Sequence, residues 1–238
     1  MLRDARDLDL PVQVNTSVTR RNVDQIDSIA ELLAEYGIAM WSVFFLVPVG
    51  RGVEEERISP TEYEDVFAKL WHHAQTKPFS VKTTEAPHYR RYVLQQGGDP
   101  LAGPGGEHPH AALRRKREEK GSGTFSGPEG PPKRVHRAPL GVTDGRGIMF
   151  VSHNGEIFPA GFLPVVCGQF PKDSVVDVYS KSPVFQQLQN PDLFKGICGC
   201  CEYRRICGGS RARAYGVTGD YLEAEPDCTF IPGTDSDE

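Results

Sequence analysis

Apolar and polar positions first settle into a regular pattern between Val12 and Val18, where they alternate as the two faces of a strand do. A charged stretch from Arg3 to Leu8 precedes it as the tail of a helix, and Pro11 separates the two. Asn22 then offers a helix N-cap, Ile26, Ile29, Ala30 and Leu33 recur at helical spacing, and Gly37 stands where such a helix ends. Met40 to Val47 is almost continuously apolar, the composition of a strand covered on both faces in a parallel sheet. Strand, helix, strand reads as a βαβ unit. Ser59-Pro60-Thr61-Glu62 then forms a capping box with proline at the first helical position, followed by Tyr63, Val66, Phe67, Leu70 and Trp71 on one stripe. Phe79 to Thr83 reads as a third strand and Pro87 to Gln96 as a short helix, so the expected fold class is α/β.

The pattern stops at about Gly97. Glycines and prolines crowd the chain up to Gly141 around a basic run, Arg114-Arg115-Lys116-Arg117. So little apolar surface cannot offset the entropy of ordering, and residues 98–141 are expected to be a disordered insert dividing a unit at 1–97 from one at 142–238. Beyond it, Asn154-Gly155 between the apolar runs Ile148 to Val151 and Glu156 to Phe158 predicts a hairpin. Asp173 to Gln189 carries a helical pattern interrupted at Pro183.

Charge narrows the partners. The 27 Lys and Arg against 32 Asp and Glu leave a net charge of −5, which gives no electrostatic reason to expect nucleic acid or an anionic membrane. A small-molecule or peptide substrate is expected instead. The first ten residues have no apolar core of the kind an export signal needs, and no apolar run reaches the ~20 residues of a membrane span, so a cytoplasmic location is expected.

In a reducing compartment six cysteines point to metal rather than disulfides. Cys198, Cys201 and Cys207 have the spacing C-x2-C-x5-C, and Cys228 follows after twenty residues. Two thiolates two residues apart can face one site from a single turn, and two more complete either tetrahedral zinc or an iron–sulfur cluster, which the spacing alone does not separate. Gly199, Gly208 and Gly209 are expected to let backbone approach the site. Cys200 reads as a spare thiol and Cys167 as a core residue. His72, His73 and His153 read as helix-surface and turn residues, and His108 and His110 fall in the insert with no assigned role.

The string from Cys198 through Glu202-Tyr203-Arg204-Arg205-Ile206 to Cys207-Gly208-Gly209-Ser210 and Tyr215, with Thr218-Gly219-Asp220 and Pro226-Asp227-Cys228, resembles the C-terminal extension of radical S-adenosylmethionine enzymes of the SPASM or twitch class. It is most similar to the branch serving heme d1 and alternative heme synthesis. The resemblance implies that Cys198, Cys201, Cys207 and Cys228 hold one auxiliary 4Fe-4S cluster. Residues Val14 to Asn22 and Trp41 to Gly52 resemble the fifth and sixth strands of the radical core, Thr83 to Pro87 its linker and Ser152 to Pro164 the hairpin opening the extension. This implies the C-terminal part of a partial (β/α)6 barrel followed by a small Cys-rich α+β domain, with Asn15, Thr16, Pro48 and Gly50 near S-adenosylmethionine.

The chain departs from the family in having no C-x3-C-x2-C triplet for the catalytic cluster, and Arg211 stands where the longer SPASM pattern carries a further cysteine. No catalytic residue is assigned. The chain is therefore expected to be a C-terminal fragment, inactive alone, that meets S-adenosylmethionine only if the missing N-terminal barrel half is supplied. Its full-length reaction would be radical modification of a tetrapyrrole or a peptide. A non-catalytic, zinc-stapled binding module is the alternative.

Overall fold

A computed structural model describes residues 1–50, 56–100 and 142–233. A short helix, α1 (Leu2–Asp7), leads into β1 (Gln13–Val18), where the alternation begins. Helix α2 (Ile26–Glu35), entered through one turn of 3-10 helix at Val23–Gln25, connects it to β2 (Met40–Phe45). Helix α3 (Pro60–Thr76) connects β2 to β3 (Ser80–Thr84), and α4 (His88–Gln95) follows. The strands form a parallel sheet in the order β1-β2-β3, with Asn15 level with Ser42 and Ser42 level with Lys82.

The register sorts the side chains by face. Trp41, Val43 and Phe45 pack against Ile26, Ala30 and Leu33 of α2 and Tyr63, Phe67 and Leu70 of α3. Each such fully buried large side chain stabilises by roughly 1.5–3 kcal/mol, so the apolar stripes suffice to hold both helices on this face. Phe45 stacks on Tyr63 at 4.8 Å and meets Phe67 edge-on at 5.6 Å. The opposite face is polar along β1, where Gln13, Asn15 and Ser17 are exposed.

The capping box at α3 forms in full: Ser59 Oγ accepts from the Glu62 amide, and the Ser59 amide donates to Glu62 Oε2 at 2.7 Å. The second bond, from the Ser59 backbone, holds the Glu62 carboxyl below its ordinary pKa. Ser59→Ala should lower the unfolding free energy by about 1 kcal/mol, measured as a shift of the urea midpoint at unchanged slope. His73 corrects the sequence reading. It is only 3% exposed, and its Nε2 lies 2.8 Å from Asp27 Oδ1. Three residues beyond Leu70, it continues the buried stripe of α3, and an aspartate on α2 gives its ring a partner.

After the gap, β4 (Phe150–Val151), β5 (Glu156–Phe158) and β6 (Gly168–Gln169) form an antiparallel sheet whose first turn is the expected Asn154-Gly155. The helical pattern beyond it becomes two helices, α5 (Val175–Lys181), capped by Ser174, and α6 (Pro183–Gln189), with Pro183 opening the second. Helices α7 (Gly196–Cys200) and α8 (Arg211–Thr218) complete the described elements. One core links the early and late parts of the chain: Val47, just past β2, packs with Ala160, Leu163, Leu188 and Ala212. Most of the expected insert, from residue 101 on, lies outside the described residues. Among those described, no helix is long and apolar enough to cross a membrane.

Candidate metal centre

The cysteine segment folds around backbone turns. Cys198 lies in α7 and Cys201 just past it; the Arg204 amide bonds back to Cys201 O, and the Cys207 amide to Tyr203 O at 2.8 Å. Gly208 and Gly209 then take φ of +69° and +65°, turning the chain into α8, whose N-cap Ser210 accepts from the Arg213 amide. Cys228 arrives from the C-terminal segment. All four thiols line one pocket, together with His88, Arg91, Tyr203 and Phe230.

Cys198 and Cys207 are 8% and 9% exposed. The Glu225 amide points at Cys198 Sγ at 3.3 Å and the Gly209 amide at Cys207 Sγ at 3.4 Å. Burial pushes the Cys207 thiol far up, against the pull of the Gly209 amide, and the Cys228 thiol up to about 11. Thiolates in so dry a setting need the positive charge of a metal, so the donor set suits a metal centre. Among the described residues no three His, Cys, Asp or Glu side chains converge closely enough to hold a single ion. Four thiols on one pocket are the donor set of an iron–sulfur cluster. All six cysteines are free thiols; Cys200 is exposed, its Sγ turned back to the Gly196 and Ile197 carbonyls, and Cys167 is half-buried against another core.

The glycines allow close packing beside the thiols, and the Gly209 amide approaches Cys207 Sγ as expected. A Cβ at Gly199 would lie 2.2 Å from Phe194 O, and one at Gly209 2.6 Å from both Arg211 Nη2 and Glu225 Cβ. Arg211 lies over the Phe194 ring at 4.6 Å and donates to Glu223 O at 2.6 Å, bracing both sides of the pocket.

Arg213, fully buried, fixes this assembly to the sheet. Its Nε donates to Leu46 O, just past β2, and its Nη2 to Glu85 O, just past β3. It pairs with Glu225 at 2.9 Å and with Asp227 at 3.2 Å. The pocket therefore sits at the carboxyl ends of parallel strands, where α/β proteins place their sites. Burial alone would raise the Glu225 carboxyl, but Arg213 holds it down to about 2.

Glu85 takes the left-handed conformation, φ +59°, and accepts from Ser210 Oγ at 2.6 Å. Burial, helped by the nearby Asp144, pushes its carboxyl up to about 8. Asp144 is also raised, first by burial. Between the unfolded value of 4.5 and about 8 the folded chain keeps a proton the unfolded chain has lost, so stability falls as pH rises through that window. From pH ~6 to ~8 the loss should be about 2–3 kcal/mol. Glu85→Gln should flatten this slope in urea midpoints measured across that range.

The residues implied to meet S-adenosylmethionine point in different directions. Asn15 is on the polar face of β1, accepting from Gln13. Thr16, its neighbour, turns to the helix-covered face and accepts from Trp41 Nε1 at 2.9 Å, which leaves only its backbone for a cofactor. Pro48 packs against Gly216 of α8, and Gly50 is exposed at φ +60° beside residues outside those described. Sequence reading missed His88, Glu85, Arg213 and Glu225. A buried arginine carries no periodic signature, and only the φ of Glu85 sets it apart.

No family model matches the sequence. The chain is 37% identical to an AdoMet-dependent heme synthase of Methanosarcina barkeri over 228 residues, covering 96% of this chain and 58% of that protein. It is 32% identical to the AdoMet-dependent heme synthase of Nitratidesulfovibrio vulgaris, covering 95% and 56%. A PqqA peptide cyclase of Granulibacter bethesdensis is 31% identical over 87 residues, covering 34% of this chain and 23% of that protein. The crystal structure of Streptococcus suis SuiB bound to S-adenosylmethionine shares the fold at a TM-score of 0.58 and 12% identity, covering 96% of this chain and 47% of that one. The chain is a radical S-adenosylmethionine protein of the SPASM type. It spans little more than half the length of the heme synthases it matches. Within the family it is related to the proteins of alternative heme biosynthesis.

Proposed function

We propose that this chain is the auxiliary-cluster part of a radical S-adenosylmethionine enzyme that modifies a tetrapyrrole, with Cys198, Cys201, Cys207 and Cys228 holding one 4Fe-4S cluster. One observation carries the reading: four thiols from three separate turns line a single pocket at the carboxyl ends of a parallel sheet. A tetrapyrrole is favoured over a peptide because the heme synthases match along almost the whole chain and the peptide cyclases along about a third. When bound, such a cluster supplies one-electron transfer or an anchor for substrate. The protein's part is to hold it: Arg211 and Arg213 brace the turns, and the Glu225 and Gly209 amides address two of the sulfurs.

The sequence contains no second set of cysteines for the cluster that cleaves S-adenosylmethionine. In this reading the N-terminal part of the barrel supplies it and pairs with β1, which among the described residues bonds to β2 alone. The division into 1–97, 98–141 and 142–238 belongs to the same proposal. Anaerobic reconstitution with iron and sulfide tests the cluster. About four of each per chain, with thiolate-to-iron absorbance in the visible, is the expected result. Stoichiometric zinc with no such absorbance would replace it with the zinc-stapled binding module.

A further inference from the structure

We propose that the imidazole of His88 donates its N–H to a sulfur of the cluster held by Cys198, Cys201, Cys207 and Cys228, and that this bond sets the cluster's reduction potential. The inference rests on the cluster reading above. His88, the first residue of α4, is 0% exposed and lines the thiol pocket. Neither ring nitrogen has a hydrogen-bond partner among the described residues. An unpaired buried donor costs about 1–3 kcal/mol, so such a ring implies a partner from outside the polypeptide.

The surroundings say where that partner sits. The rings of Tyr63 and Phe67, at 5.1 and 4.8 Å, pack against the imidazole, and the Tyr63 hydroxyl makes no hydrogen bond to it. The charged groups around the pocket have protein partners: Arg91 donates through its Nη atoms to Glu64 and Gln95, with only its Nε unpaired, Arg204 pairs with Asp192, and Glu225 pairs with Arg213. His88 is the pocket-lining residue whose buried side-chain nitrogens all lack a partner among the described residues. A sulfur of the cluster is a negatively charged acceptor, and a donor aimed at it stabilises the reduced, more negative state. His88 is a positioning residue that tunes the centre without ligating it.

Redox titration of the reconstituted full chain, followed by electron paramagnetic resonance, tests this. His88→Phe keeps the ring and removes the donor. It should still load iron and sulfide, while the reduced-to-oxidised ratio at the wild-type midpoint falls about tenfold, a shift of about 59 mV to more negative potential for one electron. His88→Gln, which restores an N–H, should recover part of the shift. In the wild type, proton electron–nuclear double resonance should show a coupling to the reduced cluster that is lost in deuterium oxide and in His88→Phe. An unchanged midpoint with the coupling retained overturns the proposal, as does a strong nitrogen coupling from 15N-labelled histidine, which would mean direct ligation. If His88→Phe does not fold, the labelled wild type decides alone. Failure of the wild type to hold iron and sulfide is a separate result that removes the cluster itself.

Discussion

Arg213→Met is expected to lower the unfolding free energy by about 3–5 kcal/mol, the range for breaking a buried ion pair by removing one partner. The guanidinium is 0% exposed, and its partners Glu225 and Asp227 are 1% exposed on their side chains. Methionine fills similar volume but leaves Glu225 without its cation, Asp227 with Arg57 alone at 3.5 Å, and Leu46 O and Glu85 O without their donor. The cost is therefore electrostatic rather than steric. Urea unfolding of the variant measures it, and the double variant Arg213→Met with Glu225→Gln should recover part of the loss because one uncompensated charge is gone. A loss below about 1 kcal/mol would show that the arginine is dispensable to the join between sheet and pocket.

Cys201→Ser carries the second large effect. In the proposed cluster site an alcohol would not replace the thiolate ligand, so stoichiometric iron should be lost, and because metal binding and folding are coupled the chain should lose several kcal/mol of stability with it. Cys200→Ser, at an exposed thiol turned away from the pocket, should change neither. The comparison reads iron content beside the thermal midpoint in both variants. Equal losses would mean that the ligands are misassigned.

Much of the fold was legible because it rests on periodic signals. The alternation at β1, the apolar run of β2, the capping box of α3, the Asn154-Gly155 turn and the break at Pro183 each follow from local sterics or hydrogen bonding, and each is found where expected. The grouping of Cys198, Cys201 and Cys207 on one pocket follows for a similar reason, since short spacings leave few ways to scatter them, whereas Cys228 reaches it across twenty residues. What the sequence hid is the chemistry of long-range burial. Arg213 and Glu225 look like surface charges until tertiary contact joins them, and His73 was misread because its aspartate partner lies 46 residues away. At Thr16 the strand is where it was expected, and the period of two turns this side chain to the helix layer, where it accepts from Trp41.

The core that joins Val47 to Ala160, Leu188 and Ala212 also governs how the molecule comes apart. Val47 and the residues it meets in the late part of the chain would be exposed to water together, so the two parts share this interior in addition to the cores each has alone. Amide hydrogens of α8 and of β2 should then exchange with solvent through the same opening, at matching rates, and heating should give one transition rather than two.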